Sequence, residues 1–174
     1  MPFGEGYATP RELDENDIRQ VIAQFAASAG RAKWPERLPL LIRLSATDWV
    51  EGGWNVEETV ELCRQLKALG VDLVDVSSAG LLPTAVIPIS PGFQTEFAAR
   101  VRREAGIVSA AVGLITAPAQ ADHVVRSGQA VLVLLGRELL RDPYWPLHAV
   151  QALGQATIWP QQYLRAAPAG STGR

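Results

Sequence analysis

The sequence contains few cysteine, histidine and aromatic residues, and it carries no large net charge. Its 174 residues include one cysteine and 7% aromatic residues, so an intramolecular disulfide framework and a cysteine-rich zinc site are excluded. The 16 basic and 18 acidic residues give a formal charge of −2, which argues against a polybasic membrane surface or a nucleic-acid footprint. No apolar run reaches the ~18 residues of a membrane span, and the first residues do not resemble a signal peptide. We therefore expect a cytoplasmic protein with no membrane or nucleic-acid partner.

What the chain does contain is a repeat of short apolar runs, each followed by a helical pattern. The predicted strands are 40–44, 73–76, 108–112 and 131–135, and the helices after them are 56–69, 95–105, 116–128 and 142–153. A further helix over 15–31, capped by Asp14, precedes them. Thr116 is expected to cap the third of the four helices, and Asp142-Pro143 to open the fourth.

Four strand–helix units with continuous apolar strands predict a parallel sheet covered by helices. Two α/β architectures fit this pattern, an open doubly wound sheet and part of a TIM (β/α)8 barrel. The Gly-x-Gly-x-x-Gly of dinucleotide-binding open sheets is absent, and a complete barrel needs about 250 residues and eight units. We predict a single, incomplete barrel domain over 1–174, with a leading segment and helix (1–33), four β/α units (40–154) and a C-terminal tail (155–174).

Ligands of parallel β/α folds collect beyond the carboxyl ends of the strands. The last two predicted strands both lead into glycine, Gly113 and Gly136, and Arg137 follows the second at the start of a short helix. Glycine lets backbone N–H groups approach an anion, a helix N-terminus favours negative charge, and a guanidinium can bind phosphate bidentately. These residues predict a phosphate site. The alternative is that both glycines only form turns and Arg137 lies on the surface.

Arg43 is a charged residue in an otherwise apolar strand, so its side chain must reach the mouth of the sheet or pair with an anion. A structural ion pair with Asp48 or Asp75 is an equally good interpretation. The two histidines, His123 and His148, fall inside predicted helices, where solvated or capping roles suit them better than catalysis. Trp49 and Trp54 follow Arg43 and are interpreted as structural residues or as a roof over a ligand. We expect Cys63, in the middle of a helix, to serve packing.

Four motifs carry a family resemblance. They are Leu-Ile-Arg-Leu-Ser-Ala-Thr-Asp-Trp at 41–49, Val-Asp-Leu-Val-Asp-Val-Ser-Ser at 71–78, Ala-Val-Gly-Leu-Ile-Thr at 111–116 and Leu-Gly-Arg-Glu-Leu-Leu-Arg-Asp-Pro at 135–143. Together with the leading segment 2–32, they resemble the Old Yellow Enzyme family, in particular its thermophilic-like, xenobiotic-reductase branch. The resemblance covers almost the whole chain.

The resemblance implies a TIM barrel that binds FMN without a covalent bond and takes a hydride from NADPH or NADH for an electron-poor alkene. It places Arg43 at the N1/O2 edge of the flavin ring, and Gly113, Gly136 and Arg137 at the FMN phosphate. Arg165 matches a C-terminal arginine that in this branch reaches a neighbouring subunit's site, so a homo-oligomer is expected.

The sequence departs from the family between the leading helix and the strand of Arg43. Members of the family carry there a strand ending in a His-x-x-His or His-x-x-Asn pair, followed by a tyrosine. Here Ala32 runs directly into Lys33, as if one strand–helix unit were missing. The substrate-binding histidine pair and the proton-donating tyrosine have no counterpart, so no catalytic residue is assigned.

Three functions remain open at this point. The first is an FMN-dependent oxidoreductase of the ene-reductase type with impaired activity. The second is a non-catalytic half-barrel that self-associates or completes a split assembly, since a half-barrel leaves edge strands unpaired and apolar residues in water. The third is an unrelated barrel enzyme that binds phosphate at the same place, although Arg43 suits a flavin edge better than a generic phosphate sugar.

Overall fold

Helices and strands alternate along the chain. The structure is a computed structural model, and it describes residues 6, 9, 11, 13–31, 35, 37–78, 80, 83 and 85–172. The helices are α1 (Glu15–Arg31), α2 (Val56–Ala68), α3 (Thr95–Arg100), α4 (Pro118–Arg126), α5 (Arg137–Arg141) and α6 (Trp145–Ala152). The strands are β1 (Leu41–Ser45), β2 (Leu73–Ser77), β3 (Val108–Ala111) and β4 (Leu132–Val133). A π-helical turn, Val101–Ala105, extends α3, and a 3-10 helix, Gln161–Ala166, lies near the C-terminus.

The four strands form one parallel sheet in the order β1-β2-β3-β4. Each strand therefore pairs with the next strand of the chain, without the reversal of order that creates the switch point of a doubly wound sheet. Sequential parallel neighbours linked by helices are the arrangement of an arc of a (β/α)8 barrel. The predicted parallel α/β sheet of strand–helix units is thus confirmed, and its strand order agrees with a partial barrel and not with a doubly wound sheet.

The two faces of the sheet differ in how well they are covered. Alternate strand residues pack with α2, α3 and α4 in the hydrophobic core, among them Ile42, Leu44, Val74, Val76 and Ala111. The opposite face carries the ion pair of Arg43 and Asp75 at its middle. Around that pair, Leu41, Val108 and Leu132 are 51%, 41% and 47% exposed. The face that would line the inside of a barrel is therefore partly open to water.

Side chains cap the starts of two helices, and the cap of α1 is the predicted Asp14. The Asp14 carboxylate accepts hydrogen bonds from the backbone N–H groups of Asn16 and Asp17, both at 2.8 Å. At α2, Asn55 accepts from Glu58 N and Glu58 accepts from Asn55 N, each at 3.0 Å, which forms a reciprocal capping box. These bonds satisfy N–H groups that the helices themselves leave unpaired.

Other predicted boundaries were wrong. Helix α4 has Ala117 at its N-cap and no side-chain cap, whereas Thr116 uses its carbonyl to accept the indole N–H of Trp145 at 2.9 Å. The segment after β4 holds two short helices, α5 and α6, instead of one helix opened by Asp142-Pro143. β4 spans only Leu132–Val133 instead of the predicted 131–135, although the backbone N–H of Leu134 still donates to the Ala111 carbonyl at 2.8 Å.

The predicted junction between Ala32 and Lys33 lies outside the described residues. Among the helices that the structure describes, none is long and apolar enough to cross a membrane.

Cys63 lies on the buried face of α2 with Val60 and Leu66, and its side chain is inaccessible to solvent. The predicted packing role is confirmed. Burial raises the pKa of its thiol to about 12, because the thiolate loses its hydration in an apolar environment.

We expect Cys63 to resist an aromatic disulfide reagent at pH 8 in the native protein and to react fully in denaturant, because only the thiolate is the nucleophile. The absorbance of the released thiol measures this directly. A native protein that reacts within the time of the denatured control would show that α2 does not pack on the sheet.

Candidate functional site

A cleft of about 340 Å³ opens beyond the carboxyl ends of β3 and β4. Its lining includes Gly113, Gly136 and Arg137, apolar side chains such as Ile89 and Phe93, and several further polar side chains. Because β3 and β4 are parallel neighbours, their exits lie side by side. The structure therefore brings together the three residues that the sequence predicts for a phosphate. Their role in binding stays a prediction.

The exit of β3 has an unusual backbone. Gly113 has φ +120° and the following Leu114 has φ +51°, a conformation that costs a non-glycine residue on the order of 1–3 kcal/mol. A side chain at Gly113 would also collide with its surroundings, since a Cβ there would lie 2.5 Å from Nε2 of Gln94. Glycine is thus required at this turn by both conformation and space.

The exit of β4 is open. A Cβ at Gly136 would meet no atom within 4 Å, so a ligand could approach this backbone closely. In the described part of the chain, the Arg137 guanidinium has no ion pair or side-chain hydrogen bond. The neighbouring Glu138 carboxylate is paired with Arg141 at 2.5 Å, so Arg137 is left as the unpaired positive charge at the edge of the cleft.

The helix that follows Gly136 contributes less than expected. Helix α5 spans only the five residues Arg137–Arg141, and its dipole is correspondingly small. Attraction of an anion would therefore depend on the guanidinium and the backbone N–H groups of the two strand exits.

Arg43 lies apart from this cleft, on the partly open face of the sheet. Its Nε donates a hydrogen bond to Oδ2 of Asp75, the residue directly opposite on β2. Asp48 instead accepts the backbone N–H of Trp54 at 3.0 Å. The ion pair that the sequence left open is thus formed with Asp75. The Arg43 side chain remains 61% exposed, so its terminal nitrogens stay accessible.

Asp75 is buried, and burial raises the pKa of its carboxyl above the ordinary value, with the Arg43 guanidinium opposing that effect. Its Oδ1 is buried and has no hydrogen-bond partner. The carboxylate therefore depends on Arg43 for its compensation, and it orients the Arg43 side chain in return.

Sequence reasoning missed a hydrogen-bonded chain across three strand exits. Trp49 Nε1 donates to Ser78 Oγ at 3.0 Å, Ser78 Oγ donates to Gln94 Oε1 at 2.9 Å, and Gln94 Nε2 donates to the Val112 carbonyl at 3.2 Å. The Trp49 ring also packs edge-on against Phe97, with centroids 5.4 Å apart. Ser78 was recognised as a strand exit, but no local pattern singles out Gln94.

The remaining candidate residues from the sequence either form other contacts within the protein or lie on its surface. Trp54 donates its indole N–H to Thr59 Oγ1 at 2.6 Å, so both tryptophans are held by the protein itself. His123 is exposed on α4, and His148 is exposed with its Nδ1 2.7 Å from Asp142 Oδ2. Arg165 lies on the exposed 3-10 helix and is not one of the described residues that line the cleft.

Comparison with known proteins identifies one matching family and several similar relatives. A family model described as the NADH:flavin oxidoreductase / NADH oxidase family matches residues 34–155. The chain is 50% identical to an NADPH dehydrogenase of Geobacillus thermodenitrificans, over 95% of this chain and 63% of that protein. It is 47% identical to an NADPH dehydrogenase of another Geobacillus strain (95% and 63%) and 44% identical to one of Listeria monocytogenes (95% and 64%).

The chain thus spans less than two thirds of the length of these curated relatives. The alignment with the first relative is 216 residues long, yet it contains 95% of this chain, which is about 165 residues. Roughly 50 residues of the relative therefore have no counterpart here, as a missing internal segment requires. The family match begins at residue 34, directly after the predicted junction. The chain belongs to the NADH:flavin oxidoreductase / NADH oxidase family, in agreement with the resemblance of its motifs to Old Yellow Enzymes.

Proposed function

We propose that the chain binds FMN chiefly through its phosphate, as a NAD(P)H-dependent flavin oxidoreductase of the ene-reductase type with impaired turnover. The observation that carries this proposal is the convergence of Gly113, Gly136 and the unpaired Arg137 at one cleft. We further propose that the fold is the carboxyl-terminal arc of a TIM barrel and that the protein works in the cytoplasm.

The residues present fit a phosphate monoester. A dianion needs donors that approach closely and a compensating positive charge. The open side of Gly136 admits the anion to the backbone, and Arg137 supplies the charge. Glu138 does not oppose binding, because Arg141 already neutralises it.

The flavin ring would depend on Arg43. This residue is level with Ala110 of β3 through Asp75 of β2, which puts it about 10 Å across the sheet from β3, and Gly113 lies three residues, or about 10 Å, further along the strand direction. Asp75 holds Nε and leaves the terminal nitrogens free. Arg43 would then stabilise negative charge at the N1/O2 edge of the ring.

Bound FMN would supply acceptance of a hydride from NADPH or NADH and its donation to an electron-poor alkene. The curated relatives are named NADPH dehydrogenases, which supports NADPH as the donor. The substrate class rests on the resemblance of the motifs to Old Yellow Enzymes.

The chain provides few of its own groups for the substrate. Neither histidine lines the cleft in the described residues, and Tyr144 and Tyr163 face each other at 6.4 Å between ring centroids away from it. Tyr7 lies outside the described residues. Among the described residues, neither the histidine pair nor the tyrosine that the resemblance assigns to carbonyl polarisation and proton delivery is therefore found at the cleft.

A second candidate function is a non-catalytic half-barrel that self-associates or completes a split assembly. It is favoured by the exposed Leu41, Val108 and Leu132 on the open sheet face and by the free edges of β1 and β4 within the described sheet. In such an assembly Arg165, exposed on its 3-10 helix, would reach the site of a neighbouring copy. Bound flavin, visible as a yellow protein, supports the first function over the second.

Replacing Arg137 by alanine is expected to weaken FMN binding about 10- to 100-fold and to leave riboflavin binding unchanged, because only FMN carries the phosphate. Quenching of flavin fluorescence measures both affinities. Arg126→Ala is the matched control, since Arg126 is paired with Asp122 on the outer helix α4. Equal losses for FMN and riboflavin would exclude a phosphate-led site.

Reduction of cyclohexenone by NADPH is expected to stay near background. Loss of one oxyanion-type donor costs on the order of 10²–10³ in rate, and loss of proton delivery roughly 10²–10⁴. Slow NADPH oxidation by oxygen needs neither group and should persist in the flavin-loaded protein. Product analysis by chiral chromatography checks this, and fast, stereoselective enone reduction by a protein of this mass would contradict it.

The purified chain is expected to sediment as a dimer or larger species, because four strands cannot close a barrel that needs eight. Analytical ultracentrifugation over a range of concentrations tests this expectation. Leu132→Lys on the open face should shift the distribution towards monomer, whereas Leu140→Lys, at an exposed position on α5, should not. A compact monomer with cooperative unfolding would be incompatible with a self-associating half-barrel.

A further inference from the structure

The amide side chain of Gln94 joins the segment before α3 to the turn that follows β3. We propose that Gln94 is a positioning residue that holds this turn, Val112–Leu114, in the orientation that an anion requires. The inference rests on the proposed phosphate site and adds to it a residue outside the matched motifs.

Gln94 is unusually well enclosed for a polar side chain. It is 5% exposed, and both ends of its amide are used. Oε1 accepts the hydroxyl of Ser78, and Nε2 donates to the carbonyl of Val112. Only the NH₂ end of a glutamine can donate to a carbonyl, so these two bonds fix which way the amide points.

A second bond holds the same turn from the same side. The backbone N–H of Gly92 donates to the carbonyl of Gly113 at 2.9 Å. The carbonyls of Val112 and Gly113 therefore both point towards the segment 92–94. In a planar trans peptide the N–H points opposite to the carbonyl. The N–H groups of Gly113 and Leu114 consequently point away from that segment, as a pair of adjacent donors.

The space around Gly113 ties Gln94 to this turn more closely. A Cβ at Gly113 would lie 2.5 Å from Nε2 of Gln94 and 3.2 Å from Phe93. The glutamine thus occupies the place that a side chain would take, and it packs directly on the strained backbone at Gly113 and Leu114. Without its hydrogen bond, nothing else in the described contacts fixes the Val112 carbonyl on this side.

The Oε1 end of the Gln94 amide is also held by hydrogen bonds. Ser78 donates to Gln94 and itself accepts the indole N–H of Trp49, which packs on Phe97. The chain of donors runs in one direction, from the exit of β1 through that of β2 to that of β3. Gln94, which itself borders the cleft, therefore links the position of two strand exits to the proposed anion-binding turn.

Gln94→Met preserves length and bulk and removes both hydrogen bonds. We expect it to weaken FMN binding by about 10-fold and to change riboflavin binding less than twofold. In the ligand-free protein the turn should become more mobile, seen as lower ¹⁵N order parameters at Gly113 and Leu114. Gln65→Met, at an exposed position on α2, is the matched control and should alter neither quantity.

Each outcome decides the proposal. Equal weakening of FMN and riboflavin, or unchanged FMN affinity with unchanged order parameters at Gly113 and Leu114, would overturn the role of Gln94. If the unaltered chain does not bind FMN, the proposed function fails, and the order parameters alone decide whether Gln94 holds the turn. Should Gln94→Met fail to fold, Ser78→Ala removes the donor to Oε1 and the acceptor of the Trp49 indole but leaves the bond from Nε2 to Val112 in place, and it is expected to change the order parameters and the FMN affinity in the same direction by a smaller factor.

Discussion

Parallel pairing of β3 with β4 is the interaction on which the site depends. Their register, Ala110 opposite Leu132 and Ala111 opposite Val133, places the two glycine exits side by side. The pairing is short on the β4 side, so the position of Gly136 relies on the packing of the segments that follow. The hydrogen-bonded chain from Trp49 to Val112 fixes the β3 side independently. The Gly113 side and the Gly136 side of the proposed anion site are thus held by different interactions.

The same sheet accounts for the proposed binding site and for the partly open face in one chain. The helix-covered face is packed around Val74 and Val76 and stabilises the strands. The opposite face carries a paired charge at its centre and partly exposed leucine and valine around it. The proposed phosphate binding needs only the strand exits, whereas the substrate chemistry that the resemblance implies needs a histidine pair and a tyrosine that have no counterpart in this sequence. We therefore expect the chain to retain affinity for the cofactor although its turnover is impaired.

Much of the fold was predictable, because the continuous apolar strands and the Asp14 cap depend on local sequence. The convergence of Gly113, Gly136 and Arg137 was also predictable, since parallel strand exits meet at one edge. The pairing of Arg43 with Asp75 was one of two open interpretations, and only the register between β1 and β2 decides it. Gln94 escaped prediction because its partners, Ser78 and Val112, are 16 and 18 residues away. The end of β4 and the division of the last predicted helix into α5 and α6 depend on tertiary packing, which the hydrophobic pattern of the sequence does not show.

The central claim is that FMN binds at the exits of β3 and β4 through its phosphate. Titration of the ¹⁵N-labelled chain with FMN, followed by amide chemical shifts, tests it most directly. The account predicts the largest shifts at Gly113, Leu114, Gly136 and Arg137, with the same four amides responding to inorganic phosphate and not to riboflavin. Shifts confined to other surfaces, such as the groove between α1 and α2, would contradict it.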